Sequence, residues 1–175
     1  MGLRFRTIAA KADESWPPGA TPEAAVRQIA ARKADAVARV VPGAIILGAD
    51  TVVVLDDEPL AKPSSDEEAL GMLRRLAGRR HRVVTGIALL DGRLGARITD
   101  AVSTDVWMRA ATDDELSAYV ASREPADKAG AYGIQGLGAG LITEIRGCYS
   151  NVVGLPISRV IEHLQRIMAS RRLLG

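Results

Sequence analysis

The chain is poor in aromatic residues and carries little net charge, and both shortages argue against a nucleic-acid partner. Phe, Trp and Tyr make up only 3% of the 175 residues, so the aromatic platforms on which single-stranded nucleic acid stacks are scarce. The formal net charge is +2, and the arginines are spread along the chain with one modest basic cluster at 79–82. Duplex-binding proteins normally show a basic stripe, so we expect no nucleic-acid partner.

Cysteine and long apolar runs are also scarce. Cys148 is the single cysteine, which excludes an intramolecular disulfide and a cysteine-rich zinc site and fits a reducing cytoplasm. As a small apolar residue it is expected to be buried. No apolar run approaches the roughly 20 residues that span a bilayer, and Met1–Lys11 lacks the apolar segment of a signal peptide. We expect a cytoplasmic protein with no membrane partner.

Aliphatic residues, in contrast, are abundant. Hydrophobic residues make up 47% and charged residues 25% of the chain, an ordinary balance for a folded protein. No internal repeat or low-complexity linker divides the sequence, so residues 1–175 are predicted to form a single domain. Strand-like and helical segments alternate early and a long hairpin follows. This order predicts an α/β fold in which helices flank a mixed, twisted β-sheet.

Local signals place the individual elements. Thr21 and Pro22 are a helix cap and first helical residue, and they predict a helix to about Arg39. The other expected elements are a short strand at Leu3–Ala9, a buried strand over 44–55 interrupted near Asp50, helices opened by capping boxes at Ser65 and Thr112, a hairpin over 81–108 turning at Asp91-Gly92, and a last helix from near Pro156 toward Met168.

Asp50 is a carboxylate within an apolar strand, in the run Gly48–Val53. A buried charge is unfavourable unless a metal ion, a cation or hydrogen-bond donors stabilise it. Asp50 therefore suits a general base or a metal ligand, and the alternative is an aspartate that caps a neighbouring turn.

Lys62 precedes Pro63, which favours an extended backbone and can direct the ammonium toward a phosphate. The alternative for Lys62 is an ordinary solvated lysine.

Two further segments have a composition that is typical of ligand-binding loops, one rich in glycine and one rich in polar residues. The closely spaced glycines of 127–140 permit positive φ angles and an anion-binding set of N–H groups, although plain connectors have similar composition. No Gly-Lys-Ser/Thr closes this segment, which excludes a kinase or GTPase P-loop. The run Tyr149–Pro156 leads into a helix start, which attracts anions; capping by Ser150 or Asn151 is the alternative.

Four of these segments, in this order and at similar intervals, resemble the successive motifs of the Maf family. They are Gly48–Val53, Lys62-Pro63, Asp127–Gly136 and Tyr149–Pro156, and the resemblance covers nearly the whole chain. It implies an elongated α/β fold related to inosine triphosphatases, with two lobes around a cleft. It also implies a pyrophosphatase that uses a divalent cation, Mg²⁺ or Mn²⁺, to cleave a nucleoside triphosphate between the α and β phosphates.

The same resemblance implies roles for individual residues. By motif position, Asp50 is the proton acceptor. The acidic pair Asp13-Glu14 matches an Asp-Glu of the family, with Glu14 the candidate for substrate binding and the choice between the two carboxylates left open. No metal ligand is assigned. The lysines at phosphate positions are Lys33, Lys62 and Lys128.

Substrate preference is indicated by two positions. Thr51 and Gln135 resemble the branch of the family that acts on dTTP and UTP, and the Gln135 amide can pair with the edge of a pyrimidine. The alternatives are a pyrophosphatase for another nucleotide, such as 7-methyl-GTP, and a nucleotide-binding regulator linked to cell division with little or no catalysis. A homodimer is compatible with either. His81 and His163 share no motif, so no Ser-His or Cys-His hydrolase is indicated.

One part of the family pattern is not found. The family opens with a strand, a Ser-x-Ser-Pro-Arg-Arg loop and a helix, whereas this sequence starts at residues that follow that helix. The loop supplies serine and arginine contacts to the triphosphate, and such charge-assisted contacts are strong. We therefore expect the 175-residue form to be a weak enzyme.

Overall fold

One antiparallel sheet with helices on both faces organises residues 4–174, which a computed structural model describes. Its strand order is β2-β1-β3-β4-β5, and the α/β class with flanking helices is confirmed. No helix within residues 4–174 combines the length and the apolar composition needed to cross a membrane. The elements are α1 (Pro22–Ala38), β1 (Ile45–Leu55), β2 (Glu58–Leu60), α2 (Asp66–Leu76), β3 (Arg80–Asp91), β4 (Arg97–Met108), α3 (Asp113–Ala121), β5 (Ile142–Arg146), α4 (Tyr149–Val153) and α5 (Ile157–Leu174).

Strand β1 is paired along one side and open along most of the other. Residues 45–54 all pair with β3, whereas only Val53–Leu55 pair with the short strand β2. Within the described chain, no strand pairs with the second edge of residues 45–52. Side chains from both faces of the sheet therefore reach the same opening at this edge.

Glycines allow α1 to pack directly on the sheet. A Cβ built on Gly86 of β3 would lie 2.2 Å from the backbone oxygen of Val26, and one on Gly48 of β1 would lie 2.3 Å from that of Ala30. Any larger residue would collide with the helix backbone. Val52 and Val54 pack against α1 on this face, while the intervening Val53 faces α2, α3 and the glycine-rich segment.

The helix signals are largely confirmed. Thr112 and Glu115 form the complete capping box at the start of α3. At the start of α2, Ser65 accepts from the Glu68 N–H as expected. The Glu68 carboxylate instead accepts from the N–H of Ser64 at 2.7 Å, so this second box is not closed on Ser65.

Three strand predictions need correction. Arg4–Ala9 is exposed and irregular, because a strand needs a partner and this segment has none among the described residues; Leu3 lies outside them. Strand β1 runs without interruption through Gly48, since continuous pairing with β3 overrides the glycine. The hairpin is confirmed, but its connection spans residues 92–96 and β4 begins at Arg97 rather than Arg93.

Helix α5 closes the domain against the β3–β4 hairpin. Arg171 donates to both carboxylate oxygens of Asp91 at 2.5 and 2.8 Å, and Asp91 is fully buried. On the same helix, His163 shares a hydrogen bond of 2.9 Å with Asp100 of β4. These pairs fix α5 and the segment before it, which forms one wall of the candidate site.

Candidate active site

A cleft of about 500 Å³ opens beside the unpaired section of β1. A volume of this size suits a nucleotide-sized ligand. The candidate residues come from an irregular N-terminal segment, α1, β1, the connection after β2 and the glycine-rich segment, so positions far apart in sequence converge. All seven of them line this cleft: Glu14, Lys33, Asp50, Thr51, Lys62, Lys128 and Gln135.

Lys33 joins two carboxylates at one side of the cleft. Its Nζ donates to Asp50 Oδ1 at 2.7 Å and lies 2.8 Å from Glu14 Oε2. Asp50 is on the face of β1 that α1 covers, so the close packing of helix on sheet brings the two groups together. The cluster of two carboxylates and one ammonium keeps one net negative charge.

Burial and charge shift the titration of this cluster. Burial raises the pKa of Asp50, against the opposing effect of the Lys33 hydrogen bond. Burial favours neutral Lys33, but the hydrogen bonds and charges of Asp50 and Glu14 outweigh it and raise the pKa of the lysine. Asp50 is therefore a carboxylate that takes up a proton more readily than an exposed aspartate. Within the described chain only its Oδ1 is bonded, which leaves Oδ2 for a water molecule.

The structure separates the two members of the acidic pair. Glu14 reaches Lys33 and lines the cleft. Asp13 instead accepts from the N–H of Ser15 at 2.8 Å and lies 3.3 Å from Arg32, away from the cleft lining. Glu14 is therefore the carboxylate of the pair that is placed to act with Asp50.

Lys62 and Lys128 supply further positive charge to the cleft lining. Lys128 pairs with its neighbour Asp127 at 2.7 Å. Lys62 is exposed and forms no ion pair with any residue between 4 and 174. An anion entering the cleft would therefore meet Lys62 without displacing an existing partner.

Thr51 faces the cleft, but its hydroxyl is already engaged. Its Oγ1 donates to the carbonyl oxygen of Gly154 at 3.1 Å and lies 2.9 Å from Thr85 Oγ1. These bonds attach the segment after α4 to the middle of β1. Thr51 can thus shape the cleft through Gly154 as well as by direct contact with a ligand.

The glycine-rich segment is folded around a carboxylate of the protein itself. The N–H groups of Leu137 and Gly138, which the sequence suggested for an anion, donate to Glu124 at 2.8 and 3.0 Å. Its wall of the cleft consists of residues 127–129 and 132–135, with Gln135 exposed. Tyr132 of this wall is buried and its hydroxyl shares a 2.7 Å hydrogen bond with His81.

The run before α5 is used mainly for capping and anchoring. Ser150 Oγ accepts from the N–H of Ile157, the first residue of α5, at 3.0 Å. Asn151 is fully buried and donates to the carbonyl of Val83. Cys148 is half-buried, not buried as expected, because it lies at the surface turn beside Ser150.

A divalent cation has carboxylate oxygens available in the cleft. Within residues 4–174, no group of three or more His, Cys, Asp or Glu side chains is arranged to hold a metal ion. Asp50 and Glu14 converge on the same nitrogen of Lys33, so their oxygens lie close together. Mg²⁺ commonly uses one or two carboxylates and completes its shell with substrate phosphates and water, so a single carboxylate beside the Lys33 pair, such as Glu14, would suffice.

Comparison with known proteins gives a consistent result. The profile of the family described as Maf-like protein matches residues 1–167. A protein of Syntrophus aciditrophicus named dTTP/UTP pyrophosphatase is 45% identical over 165 residues, covering 94% of this chain and 80% of its own. Proteins of the same name from Pelotomaculum thermopropionicum and Geotalea uraniireducens are each 45% identical, over 95% and 96% of this chain and 87% of their own lengths.

Proposed function

We propose that this chain, which belongs to the Maf family, hydrolyses dTTP and UTP to the monophosphate and pyrophosphate. The observation that carries the proposal is the joint placement of a half-buried carboxylate and three lysines in one cleft. Phosphoryl-type transfer needs chiefly a positioned nucleophile and stabilised charge. The pyrimidine preference is supported by relatives named dTTP/UTP pyrophosphatase.

Asp50 is proposed to orient and deprotonate the attacking water. Lys33 holds Oδ1 at 2.7 Å, so Oδ2 remains as the acceptor for the water. The water oxygen bonds to the α-phosphorus and one water proton passes to Asp50. The bond between the α-phosphorus and the oxygen that bridges to the β-phosphorus breaks, and that oxygen leaves with the pyrophosphate. Water and the triphosphate together give the monophosphate and pyrophosphate.

Lys62 and Lys128 are proposed to hold the triphosphate and its leaving group, and Lys33 to keep the carboxylates in place. Lys62 has no partner among the described residues and Lys128 has one, Asp127, at an exposed position. Both can therefore turn to phosphate oxygens at small cost. Lys33 stays with Asp50 and Glu14, where it screens the carboxylates from the incoming anion.

Mg²⁺ or Mn²⁺ is the proposed cofactor, and Glu14 is the carboxylate that would be available to it while the unbonded oxygen of Asp50 serves the water. When bound, such an ion neutralises phosphate charge and polarises the phosphoryl group. The remaining functions belong to the protein: Lys33 keeps the two carboxylates together, and Gly154 and Thr51 shape the wall beside them.

Gln135 is the proposed base-recognition residue, with Thr51 shaping the site beside it. The exposed Gln135 amide offers both a donor and an acceptor to the pyrimidine edge. We place the activity in the cytoplasm, which the single cysteine supports. A homodimer is compatible with the proposal, and nucleic acid is not among the proposed partners.

Pyrophosphate release from dTTP, UTP, GTP and 7-methyl-GTP, with Mg²⁺ or Mn²⁺, tests the proposal. We expect higher kcat/KM for dTTP and UTP, because a site that hydrogen-bonds one base leaves polar groups unpaired with another. Gln135→Glu should change the order of preference without unfolding the protein. A preference for GTP or 7-methyl-GTP would assign another nucleotide, and nucleotide binding without release would favour a regulator.

A further inference from the structure

Glu124 is the centre of a hydrogen-bond network that fixes the glycine-rich wall of the cleft. Its Oε2 accepts from the N–H of Leu137 at 2.8 Å. Its Oε1 accepts from the N–H of Gly138 at 3.0 Å and from the hydroxyl of Tyr119 at 2.9 Å. Three donors from two parts of the chain thus converge on one carboxylate.

Tyr119 extends this network to the other side of Gln135. Its hydroxyl accepts from the N–H of Gly133 at 3.1 Å, and its side chain is buried against α2 and the glycine-rich segment. Gly133 precedes Gln135 by two residues, and Leu137 follows it by two. The residues on each side of Gln135 are therefore held by the same pair of side chains, which we call the Glu124–Tyr119 clamp.

The glycines of this segment are required by the clamp. A Cβ on Gly138 would lie 2.2 Å from the carbonyl oxygen of Gly133 and 2.5 Å from the Tyr119 hydroxyl. Gly136 has φ +68°, and a Cβ there would lie 2.5 Å from Glu124 Oε2. The absence of side chains at Gly136 and Gly138 thus lets the segment pack against Glu124 and Tyr119. The hydrogen bonds of the clamp then fix the backbone on both sides of Gln135.

The protonation states fix the direction of each hydrogen bond. Burial would raise the pKa of Glu124, but the N–H groups of Gly138 and Leu137 and the Tyr119 hydroxyl hold it below its ordinary value. Burial, together with the neighbouring Glu124 charge, raises the pKa of Tyr119. Glu124 is therefore an ionised acceptor, and Tyr119 donates to it while accepting from Gly133.

We propose that Glu124 and Tyr119 are positioning residues for nucleobase selection, acting through Gln135. Hydrogen-bond recognition of a base tolerates displacements of only about 0.5 Å, and Gln135 is an exposed side chain flanked by glycines on one side. The clamp supplies the rigidity that this side chain needs. The inference rests on the proposed function and on recognition of the base by Gln135.

The test compares Glu124→Gln and Tyr119→Phe with the unchanged chain, using kcat and KM for dTTP, UTP, CTP and GTP. The Lys33–Asp50 pair is untouched, so kcat for UTP should stay nearly constant while its KM rises. The kcat/KM ratio of UTP to GTP should fall by about tenfold. Glu162→Gln, at an exposed ion-paired glutamate of α5, is the matched control and should keep the ratio.

A double substitution separates positioning from general stability. Gln135→Ala should lower the ratio by itself, and Glu124→Gln added to it should cause no further loss, because both act on one interaction. Thermal melts accompany each variant. Three outcomes would overturn the inference. They are losses in the double variant that multiply as if independent, an equal loss of kcat for every nucleotide, and an unchanged UTP-to-GTP ratio in Glu124→Gln or Gln135→Ala.

Failure of the proposed function is recognised separately. If the unchanged chain releases no pyrophosphate, hydrolysis is disproved, and the same variants are compared by their affinities for the α,β-imido analogues of dUTP and GTP. A fall in the ratio of these affinities supports the clamp even then. An unchanged ratio, or no nucleotide binding by any variant, overturns it.

Discussion

Asp50, the proposed general base, shows how the cost of burying a charge can be offset by neighbouring groups. It lies within an apolar strand, and its charge is stabilised by Lys33 at 2.7 Å while Glu14 adds a second carboxylate nearby. Burial keeps the pKa of Asp50 above the ordinary aspartate value of 3.8. A base with a raised pKa accepts a proton from water more readily than an exposed carboxylate does.

Asp50→Asn should lower kcat by about 10²–10⁴-fold while the fold is retained, because the amide keeps the shape and loses the basicity. In the unchanged chain, kcat/KM should fall as pH drops through the Asp50 pKa, so the acid limb should lie above pH 3.8. Pyrophosphate release across pH and circular dichroism are the measurements. Asp114→Asn, at an exposed position on α3, is the control; normal turnover in Asp50→Asn would remove Asp50 from the mechanism.

Sequence motifs pointed to candidate site residues and carried no signal for the residues that hold the surrounding segments in place. Asp50 could be recognised because a carboxylate in an apolar strand is conspicuous, and the lysines followed from the Maf resemblance. Glu124 has no local signal, since its partners Leu137 and Gly138 lie 13 and 14 residues away. Helix capping by Ser150 or Asn151 was one alternative from the sequence, yet Asn151 is buried and bonded to Val83, a partner that only the folded sheet reveals.

At the scale of elements, the close packing of α1 on the sheet brings Lys33 to Asp50. Gly86 pairs with Asp50 in the sheet and lies beneath Val26 of α1. The same helix carries Lys33 two turns later. The space left by the missing side chain of Gly86 therefore helps to set the distance between Lys33 and Asp50.

Gly86→Ala should destabilise the fold by about 1–3 kcal/mol, because its Cβ meets rigid helix backbone and α1 must move away from the sheet. The displacement should also separate Lys33 from Asp50 and lower kcat/KM. Gly71→Ala is the control: a Cβ there meets nothing within 4 Å in α2, and the change should stabilise the fold by up to about 1 kcal/mol. Thermal melts and kinetics give both values; similar behaviour of the two variants would contradict this account.

Elements with local signals were easier to predict than elements that depend on distant partners. The Thr112–Glu115 box and the 81–108 hairpin needed only neighbouring residues. The absence of a strand over residues 4–9 and the unbroken course of β1 both depended on what each segment pairs with. Strand pairing is set by tertiary contacts, so the local propensity of a segment is a poor guide to whether it forms a strand.

For the molecule as a whole, the fold class could be predicted from the order of strands and helices. The cleft was expected because the order of the motifs resembles that of the Maf family. Neither source predicted that the cleft would open at a strand edge. That feature depends on β2 pairing with only Val53–Leu55, which leaves residues 45–52 open on one side. A short strand of three residues carries too little sequence pattern for its pairing length to be predicted.

The open side of β1 has a consequence for solubility. An unpaired strand edge is a template on which a strand of another molecule can add, and Ala49–Thr51 of this edge also line the cleft. A bound nucleotide would cover the template, so ligand concentration would govern how fast the protein aggregates on heating. Light scattering should rise later with α,β-imido-dUTP present than without it, and by more than the accompanying shift in Tm explains. Equal scattering at equal unfolded fraction would show that the edge does not drive association.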